Sequence, residues 1–142
     1  MSRRAYSIPA FFALALATLA SLPVAAQSAR DAVLQHVEHY AAEYGAMAQE
    51  IWDLAEVGYQ EHESSEILQA RLREHGFKVT AGVAGIPTAF VAEWGSGGTV
   101  LGVLAEFDAL PGITQSRAPE RDPVADKGAG HACGHHLFGT GS

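Results

Sequence analysis

The chain has 142 residues, 48% of them apolar, with 9 basic against 16 acidic side chains and a formal charge of −7. That is enough for one domain with a core. It excludes the basic stripe that meets phosphates, so no nucleic acid is expected as a partner. With one cysteine an internal disulfide is excluded as well.

The first residues read as an export signal rather than as fold. Arg3 and Arg4 precede an unbroken run of apolar and small residues from Ala10 to Leu22, and Val24-Ala25-Ala26 offers the small residues a signal peptidase reads. The run is shorter than the roughly 20 residues a membrane span needs. The expectation is a cleavable signal peptide over residues 1–26, a periplasmic or secreted protein, and no membrane association after cleavage. Residues 27–142 are then the folded part. In an oxidising compartment its unpaired thiol calls for metal ligation or for burial as a small hydrophobe.

From Ser28 to about Val57 the residues Val37, Tyr40, Tyr44, Met47, Ile51 and Leu54 recur at steps of three and four, one stripe on a helix. Ser28 with Asp31 suggests its N-terminal cap, and Gly58 its end. His36 and His39 lie off the stripe and read as surface residues. A second helix is expected from Ser64 to His75, burying Ile67, Leu68 and Leu72, with Gly76 as terminator and Phe77 folding back on Leu72. His62 and His75 have no partner type nearby and read as structural or exposed.

The period then changes to that of strands. Phe77–Thr80 and Thr88–Trp94 read as strands, with Gly95–Gly98 a turn. Thr99–Ala105 is apolar on both faces, which predicts a central strand covered on both sides. Helices followed by strands of this kind predict an α/β fold. Residues 113–130, rich in Pro, Asp, Arg and Gly, read as an ordered loop or lid beside a site, with a disordered connector as the alternative.

Two clusters carry chemistry. Glu106 and Asp108 follow the apolar strand, and side chains two apart in extended chain point the same way, so both carboxylates could meet one cation or stand simply solvated. Leu110-Pro111-Gly112 then turns the chain. The second cluster, Gly130-His131-Ala132-Cys133-Gly134-His135-His136, packs three imidazoles and the thiol together. Thiolate and imidazole are the donors of a zinc-class ion. In extended chain His131, Cys133 and His135 would share a face, with Gly130 and Gly134 letting the backbone bend toward an ion. A Cys133 nucleophile paired with His135, or a set of merely satisfied histidines, stay open beside the metal site.

The segments GIPTAFVAEWGSGGTVLGVLAEFDALPG and GHACGHHLFGTGS resemble the N-terminal part of the zinc-dependent metallopeptidase family of aminoacylase and carboxypeptidase G, in the amidohydrolase branch of the aminobenzoyl-glutamate hydrolases. IWDLAEVGYQEHESSEILQARLREHGF is similar to the helix-turn-helix that opens the family's domain. The resemblance implies the N-terminal part of a two-metal, aminopeptidase-like catalytic domain, helices packed on a mixed sheet, with the lid or dimerisation domain absent. It implies two divalent ions, zinc or manganese, held in part by Cys133 and His135, with Asp108 supporting them. Glu106, His131 and His136 are additional candidates, His136 standing where the family usually has Asp or Asn. The family's general-base glutamate is expected beyond Ser142, which makes this chain a fragment and inactive alone. The implied reaction is hydrolysis of the amide bond of an N-acyl or aminobenzoyl amino acid by a homodimer, the alternative being a non-catalytic periplasmic metal- or ligand-binding protein.

Overall fold

The computed structural model describes residues 22–142, with side chains from residue 28 onward. The expected signal peptide lies outside the described residues except for the backbone of residues 22–26. The chain divides into a unit ending at Ala41 and a unit from Ala42 to Ser142.

The described part of the first unit is helical, the opening of α1 (Leu22–Leu54). Its apolar residues Val33, Leu34 and Val37 are exposed. His36 and His39 are exposed as well, their rings 4.8 and 4.7 Å from that of Tyr40. The helix starts at Leu22, so Ser28 and Asp31 lie within it and do not cap it.

In the second unit, α1 ends earlier than Gly58. Ala55 takes a left-handed φ of 48° and sends its N–H to the Ile51 carbonyl at 3.1 Å. The expected stripe is only partly buried, because burial requires neighbours and these gather on the last turns. Ala48, Ile51 and Ala55, spaced three and four apart, form the buried line, whereas Tyr44, Met47 and Leu54 are half-buried. The two alanines allow close approach.

Helix α2 (His62–Glu74) begins at a cap supplied from a distance. The Glu56 carboxylate accepts the N–H groups of Glu63 and Ser64 at 3.0 and 2.8 Å and the Ser64 hydroxyl at 2.6 Å. These are donors that a helix start leaves without intrahelical partners. Its end is as expected: Gly76 takes φ 83°, its N–H bonds Arg73, and the Phe77 N–H reaches back to the Leu72 carbonyl at 3.0 Å. Ser65 and Gln69, both buried on α2, and Thr88 form a polar spine. Gln69 donates to the Ser65 hydroxyl at 2.9 Å, Ser65 to the Thr88 carbonyl at 2.6 Å, and Thr88 to Glu61 at 2.6 Å. Buried polar atoms must be paired, so this chain of bonds fixes α2 against the entry to the next hairpin.

That hairpin is β1 (Lys78–Ala81) and β2 (Phe90–Glu93), antiparallel with Lys78 opposite Glu93 and Ala81 opposite Phe90. Both strands fall within one residue or two of the expected ranges. The next expectation fails. Thr99–Ala105 is neither a strand nor buried: Val100, Leu101, Val103 and Leu104 are 74–89% exposed. The two-faced apolar pattern states what the segment could bury, but among the described residues nothing pairs with or covers it.

Two short strands follow, β3 (Leu110–Pro111) and β4 (Ala129–Gly130), antiparallel. Val57 and Ala109 form a parallel bridge, and the Ala109 N–H donates to the Glu56 carbonyl at 2.7 Å. Ala55, Ala109 and Ala129 are buried together, with Val57 against them. The class is α/β, helices with small antiparallel sheets. The mixed sheet is not assembled among the described residues, whose parallel pairing is the single bridge at Ala109. Helix α3 (His135–Gly141) closes the described chain.

Candidate metal centre

The site is built where the end of α1, the stretch around Ala109 and the start of α3 meet. The Ala109 bridge fixes the backbone beside Asp108. Phe107 stacks on Phe90 of β2, centroids 6.0 Å apart, and Glu106 and Asp108 both reach toward α3. Gly134 opens α3 with φ 77°, and its N–H closes a turn onto the His131 carbonyl at 3.0 Å. Gly139 lets the helix lie against the Glu106–Phe107 backbone: an added Cβ would stand 3.0 Å from both the Glu106 carbonyl and the Phe107 Cβ.

His135 is the centre of the group. Its Nδ1 lies 2.8 Å from Asp108 Oδ1 and its Nε2 3.0 Å from Glu106 Oε2. The three ligand atoms of Glu106, Asp108 and His135 lie within 4.8 Å of one another. One imidazole nitrogen and two carboxylate oxygens form a donor set that zinc and manganese both accept. Asp108 is the better-buried carboxylate and makes the shorter contact. Nδ1 is thus the nitrogen held in place, and Nε2, beside the more exposed Glu106, is the one a cation would share with that carboxylate. A carboxylate behind a ligating imidazole fixes the ring and raises its basicity.

The other sequence candidates lie elsewhere. Residues 131–134 form a turn rather than an extended strand, since Gly134 takes a left-handed conformation, so His131, Cys133 and His135 do not share a face. Cys133 is exposed on that turn with a free thiol and lies outside the three-residue group. His131 is 4% exposed and bonds the Ile51 carbonyl through Nε2 at 3.1 Å. His136 packs edge-on to Trp52 at 4.8 Å, with His131 5.1 Å away. Burial holds both rings toward the neutral form, and for His136 the neighbouring His131 adds to it. What requires a glycine at 130 is the neighbouring main chain: a Cβ there would stand 2.4 Å from the Ile113 carbonyl.

Sequence reasoning missed the supports. Trp52 backs His136, and Asp53 holds both ends of the 113–130 loop. Its carboxylate takes Arg117 at 2.7 Å and its carbonyl takes Lys127 at 2.9 Å. Within the loop the Gln115 amide donates to the carbonyls of Ala118 and Glu120 at 3.2 and 2.8 Å and accepts the Asp122 N–H at 3.0 Å. The loop is therefore internally tied rather than a loose connector. These partners lie up to 74 residues apart, and no local signal marks them.

An α/β chain carrying a candidate divalent-cation centre of two carboxylates and a histidine is the class that fold and site define. No family model matches the chain. It is 41% identical over 98 residues to a p-aminobenzoyl-glutamate hydrolase component of Escherichia coli K12, covering 68% of this chain and 20% of that protein. It is 32% identical over 120 residues to human Xaa-Arg dipeptidase, 72% of this chain and 23% of that one. It is 34% identical over 87 residues to thermostable carboxypeptidase 1 of Saccharolobus solfataricus, 60% and 21%. Over the part matched, the chain is a relative of the amidohydrolases and peptidases of the aminoacylase and carboxypeptidase G family. It spans about a fifth of the length of these curated relatives.

Proposed function

We propose that the chain belongs to a metal-dependent amidohydrolase that cleaves the amide bond of an N-acyl or aminobenzoyl amino acid. The observation that carries this reading is the convergence of Glu106 and Asp108 on His135. The relatives named for hydrolysing p-aminobenzoyl-glutamate, dipeptides and C-terminal residues support the reaction class.

His135 through Nε2 and Glu106 would hold the cation, zinc or manganese, with Asp108 supporting the ring from Nδ1, Cys133 on the adjoining turn as a further soft donor and a second ion beside the first. When bound, such an ion polarises an amide carbonyl and lowers the pKa of a bound water. The chain's own residues prepare that place. Asp108 keeps the His135 ring in one orientation through Nδ1, the Ala109 bridge holds the backbone next to Asp108, and Gly139 keeps α3 pressed against Glu106. Among the described residues no further glutamate joins these three, so the 142-residue chain by itself is proposed to bind the ion without turnover. The proposed setting is the periplasm, reached through residues 1–26, with a small N-acyl amino acid as partner and a homodimer as the working form of the whole protein.

Calorimetric titration with zinc and with manganese tests the centre. The chain is expected to bind, His135→Ala to lose at least about 100-fold in affinity, and Cys133→Ala about 10-fold. A parallel assay for aminobenzoate release from aminobenzoyl-glutamate is expected to read zero for this chain. A chain indifferent to both metals, or a His135→Ala variant that binds as well as the parent, sinks the reading.

A further inference from the structure

We propose that His131 is a positioning residue of the metal centre, tying the segment that carries His135 to the carboxyl end of α1. This rests on the metal-centre reading above.

The ring is 4% exposed, while the two residues after it, Ala132 and Cys133, are exposed. A side chain is thus driven inward at the head of a turn that otherwise faces solvent. Its Nε2 meets the Ile51 carbonyl at 3.1 Å across 80 residues of sequence. A carbonyl only accepts, so Nε2 carries the proton and donates. Ile51 is itself fully buried, and its carbonyl also takes the Ala55 N–H at 3.1 Å. The bond therefore ends on the buried last turn of α1, six residues before Val57 of the Ala109 bridge.

The other end of the same residue faces the site. The His131 carbonyl closes the turn with Gly134, and the next residue is His135. One residue thus fixes the turn twice, with its side chain to α1 and with its main chain to the start of α3. The chain leaves that turn with His135 between Asp108 and Glu106. The neutral ring's bare Nδ1 has no hydrogen-bond partner. The Asp108 main chain also acts on this ring, but the bond with hydrogen-bond geometry is the one to Ile51, so the donor at the Nε2 position is what matters.

That last point gives a test in which a bulk structural role and a positioning role part company. Gln carries an N–H at about the reach of histidine Nε2; Asn is one methylene shorter, and Leu fills space without donating. In His131→Gln zinc affinity is expected within about threefold of the parent. In His131→Asn and His131→Leu it is expected to fall by about 10–100-fold, the usual effect of removing a group that orients a ligand. The His135 ring 15N resonances, recorded without metal, are expected to move in Asn and Leu and to stay in Gln. Unfolding in urea is measured on all three. Equal zinc affinity across the series, or a loss in Gln as large as in Leu, overturns the proposal. Should Leu fail to fold, the Gln and Asn pair decides. Should the parent itself ignore zinc, the metal-centre reading falls, and the metal-free His135 resonances still decide whether His131 positions that ring.

Discussion

Glu56 performs two tasks with two different groups, its main-chain carbonyl and its carboxylate. Its carbonyl receives the Ala109 N–H and so holds the backbone beside Asp108, and its carboxylate caps α2 through Glu63 and Ser64. Burial alone would raise its pKa, but the Ser64 hydroxyl, the N–H groups of Ser64 and Glu63 and the nearby His62 outweigh this and hold it below the ordinary 4.5. A carboxyl depressed in the folded state stabilises the fold above its unfolded pKa. That contribution fades as the pH falls through 4.5 toward the folded value. Glu56→Gln is therefore expected to cost about 1 kcal/mol near pH 7, as the loss of a helix cap does, and to flatten the decline of stability with acidification below about pH 4.5. Urea unfolding of both proteins from pH 7 to pH 3 checks it, and parallel curves for the two would refute it.

Among the elements, β3 and β4 show how a close approach dictates a residue. Gly130 pairs with Leu110 and lies so near the Ile113 carbonyl that an added methyl would stand at 2.4 Å. Main-chain atoms do not yield as a flexible side chain does, so Gly130→Ala is expected to destabilise by about 2 kcal/mol and to weaken zinc binding with it, because the strand leads into His131. Wild-type stability in this variant would show that the two backbones part freely. The same elements show what sequence discloses. The end of α2 was legible because Gly76 and Phe77 lie within one turn of Arg73 and Leu72. The hairpin β1–β2 was legible from its alternation. The end of α1 at Ala55 was not, since a left-handed alanine has no local signature. The cap from Glu56 escaped because it acts over seven and eight residues, and the buried place of His131 because its partner stands 80 residues away. The carboxylates and His135 were visible as types, but their meeting depends on the turn at Gly134 and the bare flank of Gly139.

Over the chain as a whole, the largest departure from its pattern is the apolar run Thr99–Ala105. Its composition asks for cover on two faces, and its side chains stand in solvent. Uncovered apolar surface of this kind attracts hydrophobic probes and other chains. The protein is expected to bind anilinonaphthalene sulfonate and to scatter light increasingly with concentration, and Leu101→Lys with Val103→Lys to reduce both. Neither signal changing in the double variant would place the apolar surface elsewhere. The loop beyond Pro111 is arranged in the opposite way. Because Asp53 grips Arg117 and Lys127 together, the stretch between them stands on a single foundation. Residues inserted or exchanged there would lengthen an arch without shifting its feet, and lengthening such a loop costs little free energy. Insertions between Arg117 and Lys127 are therefore expected to leave the turn bearing His135 as it is, with its zinc affinity unchanged.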